Sequence, residues 1–516
     1  MRVFSPDSLH INKKNFSSVL DFIKEKKIEY HQYSTFNHLV ARYGDYEDCP
    51  VEFLDEVIWL KKIDRQSLLD IEIEGINLFQ VARLELMSYL TADPELSCFG
   101  PVFDLRSIFD YAYCNKNDAL IRNLAAASFY IKHWVDYLAT SPKYDYALIF
   151  SGSLTYARAL IEVLKKTATR VFVLESFFTG NDFYIEERFS SIPNNSYLSS
   201  RSYYESIATD PSKFLRDRAK ALNKIILGSN LNVKQPEALP LDSRFLKPYV
   251  LVVGQVVNDF SLLNYCDRGI SSLAVYSKLI DEILKNTAYN VVFKAHPWEN
   301  RKANLRKPVT ADFLRSKFES EIDGRLIVVE DLNIDRLFES AYCVILLNSQ
   351  AGIEAAWNGI KPITLGAPFY GYKGFSYDFD VLRISEVVEF IDSSCKADFI
   401  LDIEEYDRFE NFLVKSLIYS LVSKHKSGLM ALRNILAPFD HISLVSKQPA
   451  PVPKEVFQEH SPSLINEPGT QKPPIDAHAR DFFERYQRYW KKYKRDPRRF
   501  FADCKNPFLR SLARFY

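Results

Sequence analysis

The chain has 516 residues, more than a single hydrophobic core usually organises, so at least two domains are expected. Hydrophobic residues make up 47% and charged residues 26% of the chain, which excludes a disordered or fibrous protein. The formal net charge is zero, but residues 485–516 hold eleven Lys and Arg against two Asp, so the remainder is net acidic. An acidic body excludes a nucleic-acid-binding protein and favours an enzyme with a basic tail.

The cysteines and the apolar segments limit the cellular setting. Seven scattered cysteines form no Cys-x-x-Cys pair, so neither a zinc site nor a disulfide framework is expected, and a reducing cytoplasm is indicated. The first residues contain no apolar core of a secretory signal, and no segment reaches the roughly 20 apolar residues of a membrane helix. We therefore expect a cytoplasmic protein that meets a membrane only from one side.

The region 1–140 is predicted to be mostly helical, because apolar residues recur there at helical spacing. The predicted helices are 16–26, 51–69, 78–90 and 119–138. From residue 141 the pattern changes to short apolar strands that alternate with helices. The predicted strands are 146–150, 170–174, 249–253, 290–294, 326–329, 343–347 and 361–365.

Alternation of apolar strands and helices is typical of parallel sheets covered on both faces. We therefore predict an α/β protein with two Rossmann-like domains, 141–235 and 245–440, joined near 230–244. The two domains are expected to face each other across a cleft, with ligands at the carboxyl ends of the strands.

The end of the chain differs from the rest. A proline-bearing polar linker is predicted at 447–475, and a tail at 476–516 mixes Lys and Arg with Phe, Tyr and Trp. Anionic lipids attract basic residues near the surface by about 1 kcal/mol each, and aromatic rings settle in the interface. We expect this tail to contact a membrane surface; packing against the acidic body is the alternative.

Lys294, His296 and Pro297 directly follow a predicted strand. A histidine at a strand end can donate a hydrogen bond to a phosphate oxygen, or neutralise it when charged. Lys294 would add to this site only if its side chain turns into the cleft. The alternative is a histidine that only caps the turn before the proline.

A second polar turn, Asn348-Ser349-Gln350, runs from a strand into a helix. The first amides of that helix and the Ser349 hydroxyl would form an anion site, and Gly352 would let a phosphate approach the backbone. An ordinary serine cap is the alternative, with Glu354 either its capping partner or a ligand of ribose or base.

Two carboxylates lie at strand ends of different predicted domains. Asp259 follows the strand 249–253 and is a candidate nucleophile or base, with Gln255 as a polar positioning group. An ordinary Asn-Asp turn is the alternative for Asp259. Glu175 ends the second strand of the first domain. Two carboxylates that face one cleft would suit glycosyl transfer.

The ordered series resembles the capsular polysaccharide synthesis family. It comprises Glu175, Gly254-Gln255-x-x-x-Asp259, Lys294-x-His296-Pro297, Asn348-Ser349-x-x-Gly352-x-Glu354-Ala355, Gly359-x-x-Pro362 and Phe369-Tyr370. That family contains retaining Kdo transferases and is related to bacterial sialyltransferases that carry a His-Pro motif and a serine motif. The similarity covers residues 146–378.

The resemblance implies a GT-B-like fold, a CMP-activated 2-keto acid donor with CMP-β-Kdo first, and no cofactor or metal. It places His296 and Ser349 on the CMP phosphate, with Asp259 as the nucleophile of a double displacement and Glu175 as acid/base. The expected partners are this donor, a glycan or lipid-linked acceptor and the inner face of the cytoplasmic membrane.

Other functions remain open on this sequence. The same fold would serve an inverting CMP-sialic acid-dependent sialyltransferase or a CDP-polyol phosphotransferase. A non-catalytic scaffold of polysaccharide assembly is the third alternative. The acceptor sugar, the linkage and the oligomeric state are not indicated by the sequence.

Overall fold

The structure, a computed structural model, describes residues 1–91, 93–226, 228, 243–245, 247–264, 268–299 and 308–436. Its strands are β1 (Arg2–Ser5), β2 (Glu29–Gln32), β3 (Glu72–Ile73), β4 (Ile76–Asn77), β5 (Val102–Phe103), β6 (Tyr146–Phe150), β7 (Arg170–Ser176), β8 (Asp182–Glu187), β9 (Tyr249–Val253), β10 (Gly269–Ile270), β11 (Asn290–Lys294), β12 (Leu326–Val329), β13 (Ala341–Leu346), β14 (Ile363–Thr364), β15 (Tyr377–Asp378) and β16 (Val422–Ser423).

The α-helices surround and connect these strands. They are α1 (Lys13–Glu25), α2 (Asn37–Val40), α3 (Leu54–Leu60), α4 (Arg65–Asp70), α5 (Leu78–Leu90), α6 (Leu105–Asn115), α7 (Asn117–Thr140), α8 (Thr155–Leu164), α9 (Arg201–Ser206), α10 (Phe214–Ile226), α11 (Phe260–Leu263), α12 (Ser272–Asn286), α13 (Val309–Lys317), α14 (Ile334–Ser340), α15 (Ala351–Trp357), α16 (Ile384–Ser393), α17 (Ile403–Val414) and α18 (Gly428–Ile435). No helix in the described part of the chain is long and apolar enough to cross a membrane.

The first sheet has six strands in the order β16-β8-β7-β6-β1-β2. The four strands β2, β1, β6 and β7 are parallel to one another. At the other edge, β8 pairs antiparallel with β7, and β16 pairs antiparallel with β8. Both faces of this sheet are covered, because alternate residues of β6 pack into two different hydrophobic cores. Ala147 and Ile149 pack with Trp134 of α7, whereas Tyr146 and Leu148 pack on the side of α1.

The second sheet is wholly parallel, in the order β12-β11-β9-β13-β14-β15. Its central strand β9 is buried along its whole length. Val250 and Val252 pack in one core with α12, and Leu251 and Val253 pack in the other. A strand apolar on every residue is what a doubly covered parallel sheet requires. The predicted α/β class, with two Rossmann-like sheets in a GT-B-like arrangement, is confirmed.

The sheets differ from the predicted domain limits in two places. The region 1–140 is mostly helical, but it also supplies β1 and β2 to the first sheet. Near the other end of the described chain, β16 and α18 lie against the first sheet and α1 rather than in the second domain. The strands β1, β2 and β16 are only two to four residues long, and β2 is mostly polar. They therefore lack the apolar run that marks a buried strand in a sequence.

The helix predicted at 51–69 is interrupted. A short 3-10 turn leads into α3, which ends near Lys61. The next helix, α4, begins after Asp64, whose carboxylate accepts hydrogen bonds from the amides of Gln66 and Ser67. An aspartate that caps a new helix ends the preceding one, which apolar periodicity alone does not reveal. The linker 447–475, the tail 476–516 and most of the connection 230–244 lie outside the described residues.

Candidate active site

A cleft of about 490 Å³ lies between the two sheets, at the carboxyl ends of their strands. All the residues predicted from the sequence as site residues line it except Gly352. They are Glu175, Gln255, Asp259, Lys294, His296, Pro297, Asn348, Ser349, Gln350 and Glu354. Strand topology explains this convergence, because the carboxyl ends of parallel strands meet at one edge of a sheet.

Glu175 enters the cleft from the end of β7. Its Oε1 accepts a hydrogen bond from the Ser176 amide at 2.9 Å. The pKa of Glu175 is raised to about 7, chiefly by burial and to a smaller extent by the negative charge of Asp259; the Ser176 amide, the Ser151 hydroxyl and His10 act in the opposite direction. A carboxyl with this pKa is divided between acid and carboxylate near neutral pH, as a proton-transferring group must be.

Asp259 approaches from the second sheet, in the loop that follows β9. Its Oδ1 accepts a hydrogen bond from the Ser261 amide at 2.9 Å and caps the single turn of α11. The ordinary turn considered from the sequence is therefore present, and it orients the carboxylate. Asp259 and Glu175 line the same cleft, and the charge of Asp259 contributes to the raised pKa of Glu175.

A chain of side-chain hydrogen bonds holds this part of the cleft. Gln255 Nε2 donates to Ser261 Oγ at 2.9 Å, Ser261 Oγ donates to Asn348 Oδ1 at 3.0 Å, and Asn348 Nδ2 donates back to the Ser261 carbonyl at 3.1 Å. Gln255 Oε1 is buried and accepts no hydrogen bond from the described residues. Gln255 and Asn348 therefore position the Asp259 turn, and one amide oxygen remains to accept a ligand's hydrogen bond.

The ammonium group of Lys294 is not placed as a phosphate ligand, which the sequence had suggested. Its Nζ donates to the carbonyls of Glu330 at 2.6 Å and Ala295 at 3.2 Å. Burial lowers the pKa of the Lys294 ammonium to about 8, against the charges of Asp331 and Glu330. The ammonium group joins the ends of β11 and β12, and it would have to leave both carbonyls to reach a phosphate.

His296 holds its own loop with one ring nitrogen. Nδ1 accepts a hydrogen bond from the Trp298 amide at 3.1 Å, so the proton of the neutral ring is on Nε2. The turn-capping role considered from the sequence is therefore present, and it fixes the tautomer that can donate from Nε2. Pro297 lines the cleft beside it.

The turn at Ser349 is partly satisfied by the chain itself. The Ala351 amide donates to Ser349 Oγ at 3.2 Å, and the Gly352 amide donates to the Ser349 carbonyl at 3.2 Å. These amides are not open to an anion as the sequence predicted, and α15 has only seven residues. The Ser349 hydroxyl keeps its own proton, which it can donate to a phosphate oxygen.

Gly352 has a packing role that the sequence did not indicate. A Cβ at this position would lie 2.1 Å from Tyr370 Oη. Tyr370 is fully buried, and its hydroxyl donates to the Ser349 carbonyl at 2.6 Å. Glycine is therefore required by the tyrosine ring behind the turn rather than by a phosphate in front of it.

The side chains of Gln350 and Asn194 form hydrogen bonds between the half of the protein that contains the first sheet and the half that contains the second sheet. Gln350 Oε1 accepts a hydrogen bond from the Phe178 amide at 3.0 Å, in the loop between β7 and β8. Asn194, from the first half, accepts from the Phe369 amide at 2.8 Å and donates to the Ala367 carbonyl at 3.0 Å. The Gln350 side chain thus lines the cleft and links its two sides.

Glu354 lies in the first turn of the short helix α15. Ser349 and Glu354 do not form a capping box, because the helix cap is Gln350, whose side chain makes no capping hydrogen bond within the described residues. Burial raises the pKa of Glu354 to about 7, and the charge of Asp335 adds to the shift. A half-buried carboxyl that faces the cleft is suited to accept hydrogen bonds from ligand hydroxyls.

Two residues important to this site were missed in the sequence. Glu299 is buried and accepts hydrogen bonds from the Val257 and Thr310 amides, both at 3.0 Å, so it ties the Asp259 loop to α13. His10 lines the cleft after β1. Recognition of β1 would have drawn attention to His10 as a strand-end residue; the partners of Glu299 are distant in sequence, and no local pattern marks them.

Residues 213–386 match the protein family described as capsule polysaccharide biosynthesis protein, so the resemblance inferred from the ordered motifs is confirmed over this part of the chain. A segment of 190 residues is 27% identical to the capsule polysaccharide export protein KpsS of Escherichia coli. The match covers 35% of this chain and 44% of KpsS, so the chain spans less than half the length of that relative.

Two solved structures with similarity to this chain are parts of KpsC from Thermosulfurimonas dismutans. The beta Kdo 2,7 transferase is 17% identical with a TM-score of 0.35, over 59% of this chain and 89% of that chain. The beta Kdo 2,4 transferase is 15% identical with a TM-score of 0.36, over 53% of this chain and 79% of that chain.

The Gly352 contact predicts a stability defect. Gly352→Ala should lower the free energy of unfolding by about 1–3 kcal/mol, because the new methyl group overpacks against a buried ring. Gly324→Ala is the control: Gly324 is exposed and its nearest neighbour would be 3.3 Å from the Cβ. Urea unfolding checks both, and a Gly352→Ala protein as stable as the control would contradict the packing role.

The raised pKa of Glu175 predicts a pH-dependent stability change. The pKa is about 7 in the folded protein and about 4.3 in an unfolded chain, so the folded state loses stability as the pH rises through this window. Glu175→Gln removes that loss. The variant should therefore be more stable than the parent at about pH 8, by about 1 kcal/mol or more, with no difference below about pH 4.

Urea unfolding at several pH values measures this difference. Glu319→Gln replaces an exposed carboxylate and should leave the pH dependence unchanged. A Glu175→Gln protein that is no more stable than the parent at either pH would show that burial of Glu175 has no energetic consequence.

Proposed function

We propose that this protein is a glycosyltransferase of bacterial capsule synthesis that transfers Kdo from CMP-β-Kdo to a glycan or lipid-linked acceptor, with retention of configuration. One observation carries the proposal. Glu175 and Asp259, from different sheets, face one cleft and interact, and His296 and Ser349 line the same cleft. The family match over 213–386 supports a role in capsule synthesis.

The second sheet is suited to bind the nucleotide half of the donor. The Nε2 proton of His296 and the hydroxyl proton of Ser349 are donors for the two free oxygens of the CMP phosphate. Glu354 would accept hydrogen bonds from the ribose hydroxyls. Gln255 Oε1, buried without a partner in the described part of the chain, would accept a hydroxyl of the sugar.

In the first step, an Asp259 carboxylate oxygen attacks C2 of the bound sugar. The C2–O bond to the phosphate breaks, and CMP departs with the electron pair and the negative charge. His296 and Ser349 stabilise this charge by hydrogen bonds that strengthen as it develops. Since a phosphate ester is a good leaving group, this step needs no proton from Glu175.

In the second step, the acceptor hydroxyl attacks C2 from the side that CMP left. The bond between C2 and Asp259 breaks, and the carboxylate regains its electron pair. Glu175, in its ionised form, takes the proton from the acceptor hydroxyl. Two displacements at one carbon restore the original configuration, so the product retains the β linkage of the donor.

The setting of this reaction is also part of the proposal. A lipid-linked acceptor is presented at the inner face of the cytoplasmic membrane, and the basic aromatic tail 476–516 would bring the enzyme there. The donor is a co-substrate, so no further cofactor takes part in the scheme.

A donor screen with four variants tests the proposal. The purified protein should release CMP from CMP-Kdo in preference to CMP-sialic acid. Asp259→Ala should abolish release, and His296→Gln and Ser349→Ala should each reduce it about 10- to 1,000-fold, as loss of one transition-state donor does. Asp312→Ala, a change of an exposed carboxylate outside the cleft, should leave release unchanged.

Other results would replace the proposal. Release from CMP-sialic acid alone, or turnover of a CDP-polyol, would assign another donor to the same fold. Full activity of Asp259→Ala would remove the nucleophile. Absence of release from any donor, together with no thermal stabilisation by CMP, would indicate a non-catalytic scaffold.

A further inference from the structure

Tyr43 lines the cleft from the side of the first sheet, and its backbone conformation is unusual. Its φ is 51°, in the left-handed region that bulky side chains seldom adopt. Gly44 follows, also with a positive φ, and a Cβ there would lie 2.5 Å from the Glu85 carbonyl oxygen. Asn123 Nδ2 donates to the Gly44 carbonyl at 3.2 Å, so the turn is clamped between α5 and α7. Strained residues of this kind cluster at ligand sites, which makes Tyr43 a candidate contact for a ligand.

Hydrogen bonds from buried groups fix the Tyr43 hydroxyl. Tyr43 Oη lies 3.2 Å from His10 Nε2, and the other ring nitrogen, Nδ1, lies 3.2 Å from Asp7 Oδ1. Asp7 Oδ1 also accepts a hydrogen bond from the His10 amide at 2.6 Å, and Asp7 Oδ2 accepts one from the Tyr156 hydroxyl at 2.5 Å. Asp7 has no exposed surface, and the His10 side chain is 11% exposed. Asp7 thus orients the imidazole, and the imidazole orients the Tyr43 hydroxyl.

The same imidazole joins Tyr43 to the strands of the first sheet. It stacks flat on Phe150, with ring centroids 4.5 Å apart and an interplanar angle of 1°. Phe150 ends β6 and pairs with Leu174 of β7, the residue before Glu175. Adjacent strands lie about 4.8 Å apart, so β1 and β7, with β6 between them, are separated by about 10 Å. Tyr43 and Glu175 therefore lie on one wall of the cleft, which is long enough for a ligand that reaches beyond its reacting hydroxyl.

This wall combines aromatic rings with a hydroxyl that can bind a ligand. The rings of Tyr43, Phe150 and Phe178 line the cleft and are partly exposed. A phenol can both donate and accept hydrogen bonds, and the contact with His10 uses one of these capacities. Whichever atom carries the proton in that contact, Tyr43 Oη can form a second hydrogen bond with a ligand hydroxyl, because a hydroxyl also donates and accepts. Apolar rings with a few placed polar groups are typical of ligand sites. The rings would face the C–H groups of a sugar, and Tyr43 Oη one of its hydroxyls.

We propose that Tyr43 binds the acceptor, and that the acceptor is a sugar with a hydroxyl that forms a hydrogen bond with Tyr43 Oη. His10 and Asp7 are positioning residues that hold this oxygen in place. The bound hydroxyl is not the reacting one, because Glu175, at the other end of the wall, takes the proton of the reacting hydroxyl. No covalent bond changes at Tyr43. The proposal rests on the proposed function for the reaction, whereas the binding of a sugar at this wall does not depend on it.

Saturation-transfer NMR tests the binding without requiring catalysis. The probes are the methyl β-glycosides of glucose, galactose and N-acetylglucosamine. The parent should bind at least one of them. Tyr43→Phe, which keeps the ring and removes only the hydroxyl, should weaken that binding about 2- to 10-fold, as loss of one hydrogen bond to an uncharged group does. A parent that binds none of the three sugars, or a Tyr43→Phe protein that binds them as the parent does, would overturn the proposal.

Steady-state kinetics with the same sugars as acceptors gives a second readout. In Tyr43→Phe the acceptor KM should rise about 2- to 10-fold, while kcat and the KM for CMP-Kdo stay unchanged, because the lost contact binds only the acceptor. Tyr89→Phe is the matched control: its hydroxyl donates to Glu47 at 2.6 Å, and Tyr89 is not among the residues that line the cleft. An equal rise in both KM values would mean that Tyr43 supports the cleft as a whole, and would contradict a contact with the acceptor.

A double-mutant cycle tests the positioning role of His10. His10→Gln should weaken sugar binding in the parent background but add little in the Tyr43→Phe background, because His10 acts through the hydroxyl that this variant lacks. The same loss in both backgrounds would refute that role. If His10→Gln does not fold, the comparison of Tyr43→Phe with the parent still decides the contact. A parent that releases no CMP would refute the proposed function, while the dependence of sugar binding on Tyr43 would still be measured.

Discussion

The burial of the Glu175 carboxyl group in a cleft that also holds Asp259 is the constraint on which the site depends. Glu175 and Asp259 come from different sheets, and the charge of Asp259 adds to the effect of burial on the pKa of Glu175. Two negative charges that are partly buried together are unfavourable, so the surrounding fold must hold them there. It does so by the strand end that carries Glu175 and by the helix cap that Asp259 forms. Burial, with a smaller contribution from this repulsion, raises the pKa of Glu175 to about 7.

Rigid contacts around the cleft maintain this arrangement. Gln350 accepts the Phe178 amide, and Asn194 accepts the Phe369 amide, so the two halves are joined beside the site. Glu299 links the loop before Asp259 to α13. A displacement needs its nucleophile aligned to within a fraction of an ångström. Buried hydrogen bonds from several elements give that precision more reliably than one loop would.

The sequence predicts much of the second sheet and of the site, for a physical reason. β9 and β12 are apolar on every residue and β11 is apolar between Asn290 and Lys294, so the limits of these three strands are clear, and their bounds match the prediction. Polar residues at their ends therefore fall into the cleft. The short strands β1, β2 and β16 carry no such signal, and His10 was missed with β1. The role of Gly352 depends on Tyr370, 18 positions away, and could not be inferred from a local motif.

The double displacement that we propose requires a covalent bond between Asp259 and the transferred sugar. The direct measurement is mass spectrometry of the protein incubated with CMP-Kdo in the absence of acceptor, followed by peptide mapping. We expect an added mass of one Kdo residue on the peptide that contains Asp259, and no such mass in Asp259→Ala. CMP release without any adduct on the protein, at a rate that Asp259→Ala does not change, would contradict it.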